Sequence, residues 1–165
     1  MRRMSWGTFV AGARRVHPAL VLATLDAIGL AVASYLSAVE LQNELPVCGP
    51  LEGCQTVATS PYARMAGVPV AVFGVFLSLA LLSLALAWWR RGGTGLLLAH
   101  YGLSLVGVLF EIRFTYLQVV VIRAVCMWCA IYGLSLVVRF LIALWVWIHR
   151  EEYVPRRAES INPEA

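Results

Sequence analysis

The chain contains no lysine; all 13 of its basic residues are arginine. Nothing functional follows from that substitution of one basic type for another. The general poverty in charge says more. Charged types make up 13% of the chain and apolar types 61%, where a soluble domain carries roughly 25% charged residues. That scarcity excludes a water-soluble surface of normal polarity. The formal charge of +4 would suit nucleic acid if the arginines formed a stripe. They stand instead in small clusters between apolar runs, which argues against a nucleic-acid partner and makes the clusters topology signals. No internal repeat or low-complexity tract is present, and 165 residues amount to about one domain.

Four apolar runs dominate what is there. A bilayer core needs about 20 helical residues, and residues 19–41 meet this, broken only by Asp26 and Glu40. Residues 65–89 hold no charge, with Pro69 expected to kink the run or mark its first turn. Residues 92–121 carry Glu111 and Arg113, a costly pair inside lipid. Those two are two positions apart, on different helix faces, and so do not pair with each other. Residues 124–148 carry Arg139, whose long side chain is expected to snorkel toward the interface. Trp88, Trp89, Trp145 and Trp147 cluster at run ends, as an aromatic belt would. Ionisable groups inside spans are functional candidates by default, which singles out Asp26, Glu111 and Arg113. His100 reads as an interfacial hydrogen-bonding residue.

The expected fold is an all-α integral membrane bundle of four transmembrane helices, with an outward cysteine-bearing loop between the first two. The expected division is a cytoplasmic N-terminal segment over residues 1–18, a membrane domain over 19–149 and a cytoplasmic tail over 150–165. Residues 5–16 read as a short amphipathic surface helix, and the proline-bearing tail as lacking fixed structure. Arg2, Arg3, Arg14 and Arg15 precede the first run, Arg90 and Arg91 separate the second and third, and Arg150, Arg156 and Arg157 follow the fourth. The opposite side holds only Arg64 and Arg123. By the positive-inside rule both termini face the cytoplasm and the first and third connections face outward. The first run is too long for the apolar region of a cleaved secretory signal.

All four cysteines then lie on the outer, oxidising side. Cys126-Met127-Trp128-Cys129 opens the fourth helix, its sulfurs on one face of the first turn. Unsatisfied backbone N–H groups and the positive end of the helix dipole lower a thiol pKa there, and the thiolate is the species that attacks disulfides. Cys48 and Cys54 flank Gly-Pro-Leu-Glu-Gly, a composition that breaks helix and strand and predicts a mobile loop. Two plainer readings compete. One is a structural loop disulfide with two cysteines packed as small hydrophobes. The other is a four-thiolate zinc site, which suits neither the lipid boundary nor an oxidising compartment, so no metal is expected.

The loop from Cys48 to Cys54 is followed by Gln-Thr-Val-Ala-Thr-Ser60-Pro-Tyr and then by Gly67-Val-Pro-Val-Ala-Val-Phe-Gly74. Together with Thr115-Tyr-Leu-Gln118 leading into the Cys-x-x-Cys, these resemble the bacterial vitamin K epoxide reductase (VKOR) family. The resemblance extends over residues 20–144 and rests on cysteine order and spacing. It implies a four-helix bundle around a quinone, ubiquinone or menaquinone, with Cys126 and Cys129 as the active-site pair and Cys48 and Cys54 as the relay pair. Ser60 matches a serine or threonine near the active site, and Phe73 an aromatic near the quinone pocket. Each also has a plain reading, Ser60 as a turn residue before Pro61 and Phe73 as a core or lipid contact.

Two departures qualify the resemblance. Val70 stands where vertebrate members carry asparagine, so vitamin K epoxide is not the expected substrate. No thioredoxin-like domain follows the last helix, so the expected partner is a separate thioredoxin-like (DsbA-like) protein, alongside the lipid bilayer and a membrane quinone.

The implied activity is a thiol oxidoreductase of the inner (plasma) membrane that reoxidises that partner, supporting disulfide formation in exported proteins. A DsbB-type oxidase shares four helices and two cysteine pairs, but there the Cys-x-x-Cys comes first. The rival from another class is a structural or assembly membrane protein with one loop disulfide.

Overall fold

The structure, a computed structural model, describes residues 17–48 and 53–149. The expected surface helix and the tail both lie outside the described residues. In chain order the elements are α1 (Pro18–Leu41), α2 (Gly53–Ala58), a 3-10 turn (Pro61–Ala63), strands β1 (Arg64–Met65) and β2 (Val68–Pro69), α3 (Val70–Arg91), α4 (Thr94–Tyr116) and α5 (Met127–Ile148). A wider turn of π type, Leu117–Ile122, prolongs α4. Among the described residues four helices are long and apolar enough to cross a bilayer, as the four runs predict.

Helix boundaries follow local chemistry. Pro18 sits in the first turn of α1, where its missing N–H costs nothing, and the His17 Nδ1 accepts the Ala19 amide at 3.3 Å. Pro69 neither kinks α3 nor enters it; it ends β2 and is the N-cap residue immediately before α3. Residues 65–69, expected to be helical, form a two-residue antiparallel hairpin with Arg64, because Ala66 and Gly67 take the positive φ values of a tight turn, 52° and 83°. The last helix starts at Met127, not at 124. Arg123 ends the preceding turn in the left-handed conformation (φ 57°), and Cys126 is extended as the N-cap.

The helices close a ring in which α1 packs on α3, α3 on α4, α4 on α5 and α5 back on α1. At the arginine end, Ala19, Leu22, Ala85, Trp88, Leu97 and Val146 form an apolar plug. Trp88 is therefore a core residue against the His17 ring, 5.3 Å away, and not part of an interfacial belt, whereas Trp89 and Trp145 are exposed.

Midway along the bundle polar side chains join the helices. Asp26 of α1 takes Arg139 Nη1 of α5 at 3.0 Å through one oxygen and His100 Nε2 of α4 at 3.0 Å through the other. All three are fully buried, which corrects the expectations for Arg139 and His100: neither reaches an interface. The guanidinium fits because Gly29 has no Cβ, which would lie 2.9 Å from Nη1. The Tyr132 hydroxyl of α5 joins α3, within 3.2 Å of Ser78 Oγ and donating to the Gly74 carbonyl at 3.3 Å. Every helix of the ring is thus tied by at least one polar contact, the adhesive available where lipid removes the hydrophobic drive between helices.

Candidate active site

The four cysteines lie at the end of the bundle away from Arg90 and Arg91. Gly53 opens α2 directly against the backbone that precedes α5; a Cβ there would stand 2.6 Å from the Val125 nitrogen. That approach sets the next residue, Cys54, fully buried over the start of α5, where the Met127 amide donates to its sulfur. Cys126, the N-cap of α5, accepts the Cys129 amide on Sγ at 3.4 Å, while its own amide donates to Gln118 Oε1 at 2.9 Å. The cavity-lining Gln118 thereby locks the entrance of the Cys-x-x-Cys turn to the end of α4.

The four sulfurs form a hydrogen-bonded series in the order Cys48, Cys54, Cys126, Cys129. Burial and contact with Cys48 raise the Cys54 thiol to about 11. Cys126 is drawn the other way, to about 6: the Cys129 thiol contributes most, followed by the Cys129 amide, the Cys54 thiol and the Trp128 amide, against the opposing effect of burial. The first cysteine of the turn is thus biased toward thiolate by the donors around it, and its neighbour in the loop pair toward thiol by burial.

The expected mobile loop is not what its described ends show; its middle, residues 49–52, lies outside the described residues. On one side Cys54 is helical and buried. On the other, the residue before Cys48 is held twice: the Val47 amide donates to the Tyr35 hydroxyl at 3.2 Å, and Trp128 Nε1 donates to the Val47 carbonyl at 2.8 Å. The Tyr35 and Trp128 rings meet at 5.0 Å. Glycine and proline in the sequence hide this, because the restraint comes from residues 12 and 81 positions away. Trp128, between the two cysteines of the turn, was the available signal.

Below the sulfurs lies a cavity of about 350 Å³, within the size range of small-molecule sites. Cys54, Cys126 and Cys129 form part of its wall, and most of the rest is apolar. Phe73, Val106 and Phe110 rim it while exposed on the outside of the bundle. The opening thus lies between α3 and α4, toward lipid. The cavity's size and mostly apolar wall suit the ring of a lipid-soluble quinone.

Phe73 stands at this rim. Ser60 also lines the cavity, although its hydroxyl donates to the Val57 carbonyl at 2.7 Å, so it serves the turn as well. Ser60, Ala58 and Glu40 are shared with an adjacent polar pocket that includes Asn43, Glu44 and Arg64. Among the described residues no group of His, Cys, Asp and Glu side chains could hold a metal ion. Sequence reasoning did not find Gln118, Glu40 or Tyr132 as cavity residues, nor the place of Glu111 in its wall. Over residues 20–144 the chain matches the family model described as Vitamin K epoxide reductase family.

Proposed function

From the chain's membership of the vitamin K epoxide reductase family, whose members are disulfide oxidoreductases that use quinones, we propose that it is a thiol:quinone oxidoreductase fed by a separate thioredoxin-like (DsbA-like) protein. The observation that carries the reading is the unbroken series of four sulfurs ending on an apolar, lipid-facing cavity. A reduced partner attacks the Cys48–Cys54 disulfide at Cys48, the outer member of the series, and leaves both loop cysteines as thiols. Cys54 then attacks Cys126 of the Cys126–Cys129 disulfide, releasing Cys129. Cys48 next attacks Cys54 in the mixed disulfide and expels Cys126.

The last step is biased by acidity. Thiol exchange favours expulsion of the sulfur with the lower pKa, and Cys126 at about 6 faces Cys54 at about 11. Electrons are driven inward, onto the Cys-x-x-Cys pair. A quinone in the cavity supplies a two-electron, two-proton acceptor. Cys126 and Cys129 close into a disulfide beside it, Gln118 fixes the Cys126 backbone, and the surrounding apolar wall excludes water. Phe73 and Ser60 are the residues proposed to border the ring.

The membrane is the inner (plasma) membrane, with both termini cytoplasmic, the cysteines outside, and disulfide formation in exported proteins as the outcome. Arginine asymmetry supports this orientation: Arg90 and Arg91 lie at the end opposite the sulfurs, while Arg64, Arg123 and, in the last turn of α4, Arg113 lie toward the sulfur end.

Protein reconstituted in lipid discs with quinone tests the scheme. With a reduced thioredoxin-like protein as donor, quinol should form catalytically, and Cys54→Ser should abolish this. The same variant, reduced chemically at Cys126 and Cys129, should still perform one turnover. Catalytic quinol formation by Cys54→Ser, or none by the wild type, would refute the scheme.

A further inference from the structure

Glu111 is an ionisable residue inside α4 that the thiol relay leaves unused. Its side chain lies on α5 at Gly133, the residue one helical turn beyond Cys129; a Cβ at Gly133 would overlap the carboxyl group, standing 2.6 Å from Cδ. Only glycine leaves this room, and Thr115 Oγ1 holds the carboxyl from the other side, donating to Oε1 at 3.4 Å. Cys129 and Gly133 are four apart and so share one face of α5. Glu111, Cys129 and Cys126 line the same cavity. The other titratable groups on that wall are Glu40 of α1, Cys54 of α2, Tyr62 of the 3-10 turn and Tyr132 of α5; α3 contributes none, and no basic side chain is present.

A thiol pair that reduces a quinone must also deliver two protons. An apolar cavity provides few carriers. Building on the oxidoreductase reading, we infer that Glu111 is the proton-transfer residue of the quinone site, moving the proton of Cys129 to a quinone oxygen. In that step the Cys126 thiolate and the Cys129 thiol become a disulfide, and two electrons pass to the quinone. In its protonated form the Glu111 carboxyl gives its proton to one quinone oxygen and takes up the proton that the breaking Cys129 S–H bond releases. The carboxyl ends as it began. The second quinol proton comes from water in the adjacent polar pocket, whose Glu40 borders both cavities.

The test uses the full chain in lipid discs. Glu111→Gln should exchange disulfides between the loop pair and Cys126 at the wild-type rate, yet reduce quinone about 100-fold more slowly, the usual scale of a lost general acid. Its residual rate should fall about tenfold for each unit rise in pH, since hydronium must then replace the carboxyl as proton donor. Glu111→Asp should restore part of the rate. An independent reading needs no quinone: infrared difference spectra between the dithiol and disulfide forms should contain a protonated-carboxyl C=O band that Glu111→Gln removes and Glu111→Asp shifts.

Quinone reduction by Glu111→Gln within about twofold of the wild type, or a carboxyl band that survives the substitution, overturns the assignment. Failure of the wild type itself to reduce quinone would instead defeat the oxidoreductase reading, and this inference with it. If Glu111→Gln does not fold, Gly133→Ala provides the same comparison by displacing the carboxyl from its seat. A wild-type quinone rate in that variant also overturns the assignment.

Discussion

Removing the Asp26 carboxylate should cost as much stability as truncating a large buried apolar side chain of the bundle. Its two oxygens serve Arg139 and His100, both at 3.0 Å, and none of the three side chains is exposed. In Asp26→Ala the guanidinium keeps only its contacts within α5, from Nε to the Ser135 carbonyl at 3.2 Å and from Nη2 to Ser135 Oγ at 3.3 Å. Two lost hydrogen bonds alone would amount to about 2 kcal/mol, and less in membrane proteins, where such bonds average about 0.6 kcal/mol each. The stranded charge is the larger effect. Breaking a buried pair from one side costs about 3–5 kcal/mol, a fall of roughly two to three and a half powers of ten in the folded-to-unfolded ratio.

Equilibrium unfolding in mixed micelles, followed by circular dichroism, measures this cost directly. The companion variant Asp26→Leu with Arg139→Met should recover most of the loss, because an apolar pair of similar volume leaves no charge behind. An Asp26→Ala protein within about 1 kcal/mol of the wild type, or a double variant less stable than Asp26→Ala, would refute this account of the cluster.

Two further outcomes follow from the site and the arginine pattern. In the reduced protein, alkylation of Cys126 should show its midpoint near pH 6, with the reactive thiolate dominant above it and the inert thiol below. In Cys129→Ala the midpoint should rise, since the Cys129 thiol contributes most to the lowering; an unshifted midpoint in that variant, or an ordinary thiol midpoint of about 8.5 in the wild type, would contradict the geometry. A reporter fused at Gly93 should be active only in its cytoplasmic form. Activity only outside the cytoplasm would reverse the orientation and place the sulfurs in a reducing compartment.

The sequence alone determined the architecture because lipid permits few solutions: four apolar runs of spanning length must be helices that satisfy their own backbone groups. It also marked Cys126 as an acidic thiol, since a cysteine at a helix start meets free N–H groups, whereas the larger lowering comes from the Cys129 thiol packed against it. The same local logic failed at residues 65–69 and 124–126, where a tight turn and a left-handed Arg123 displaced helix starts that hydropathy could not distinguish.

Partnerships between helices were beyond its reach. Asp26 and Arg139 are 113 positions apart, and Val47 and Trp128 are 81. Composition marks Asp26, Glu111 and Arg139 as costly in lipid without saying what offsets the cost. Only the closed ring of helices decided that Asp26 and Arg139 pair out of reach of water, that Val47 and Cys54 are held against the Cys-x-x-Cys turn, and that Glu111 lies in the space Gly133 leaves beside that turn. Each depends on which faces meet across the bundle, and side-chain packing in three dimensions sets that.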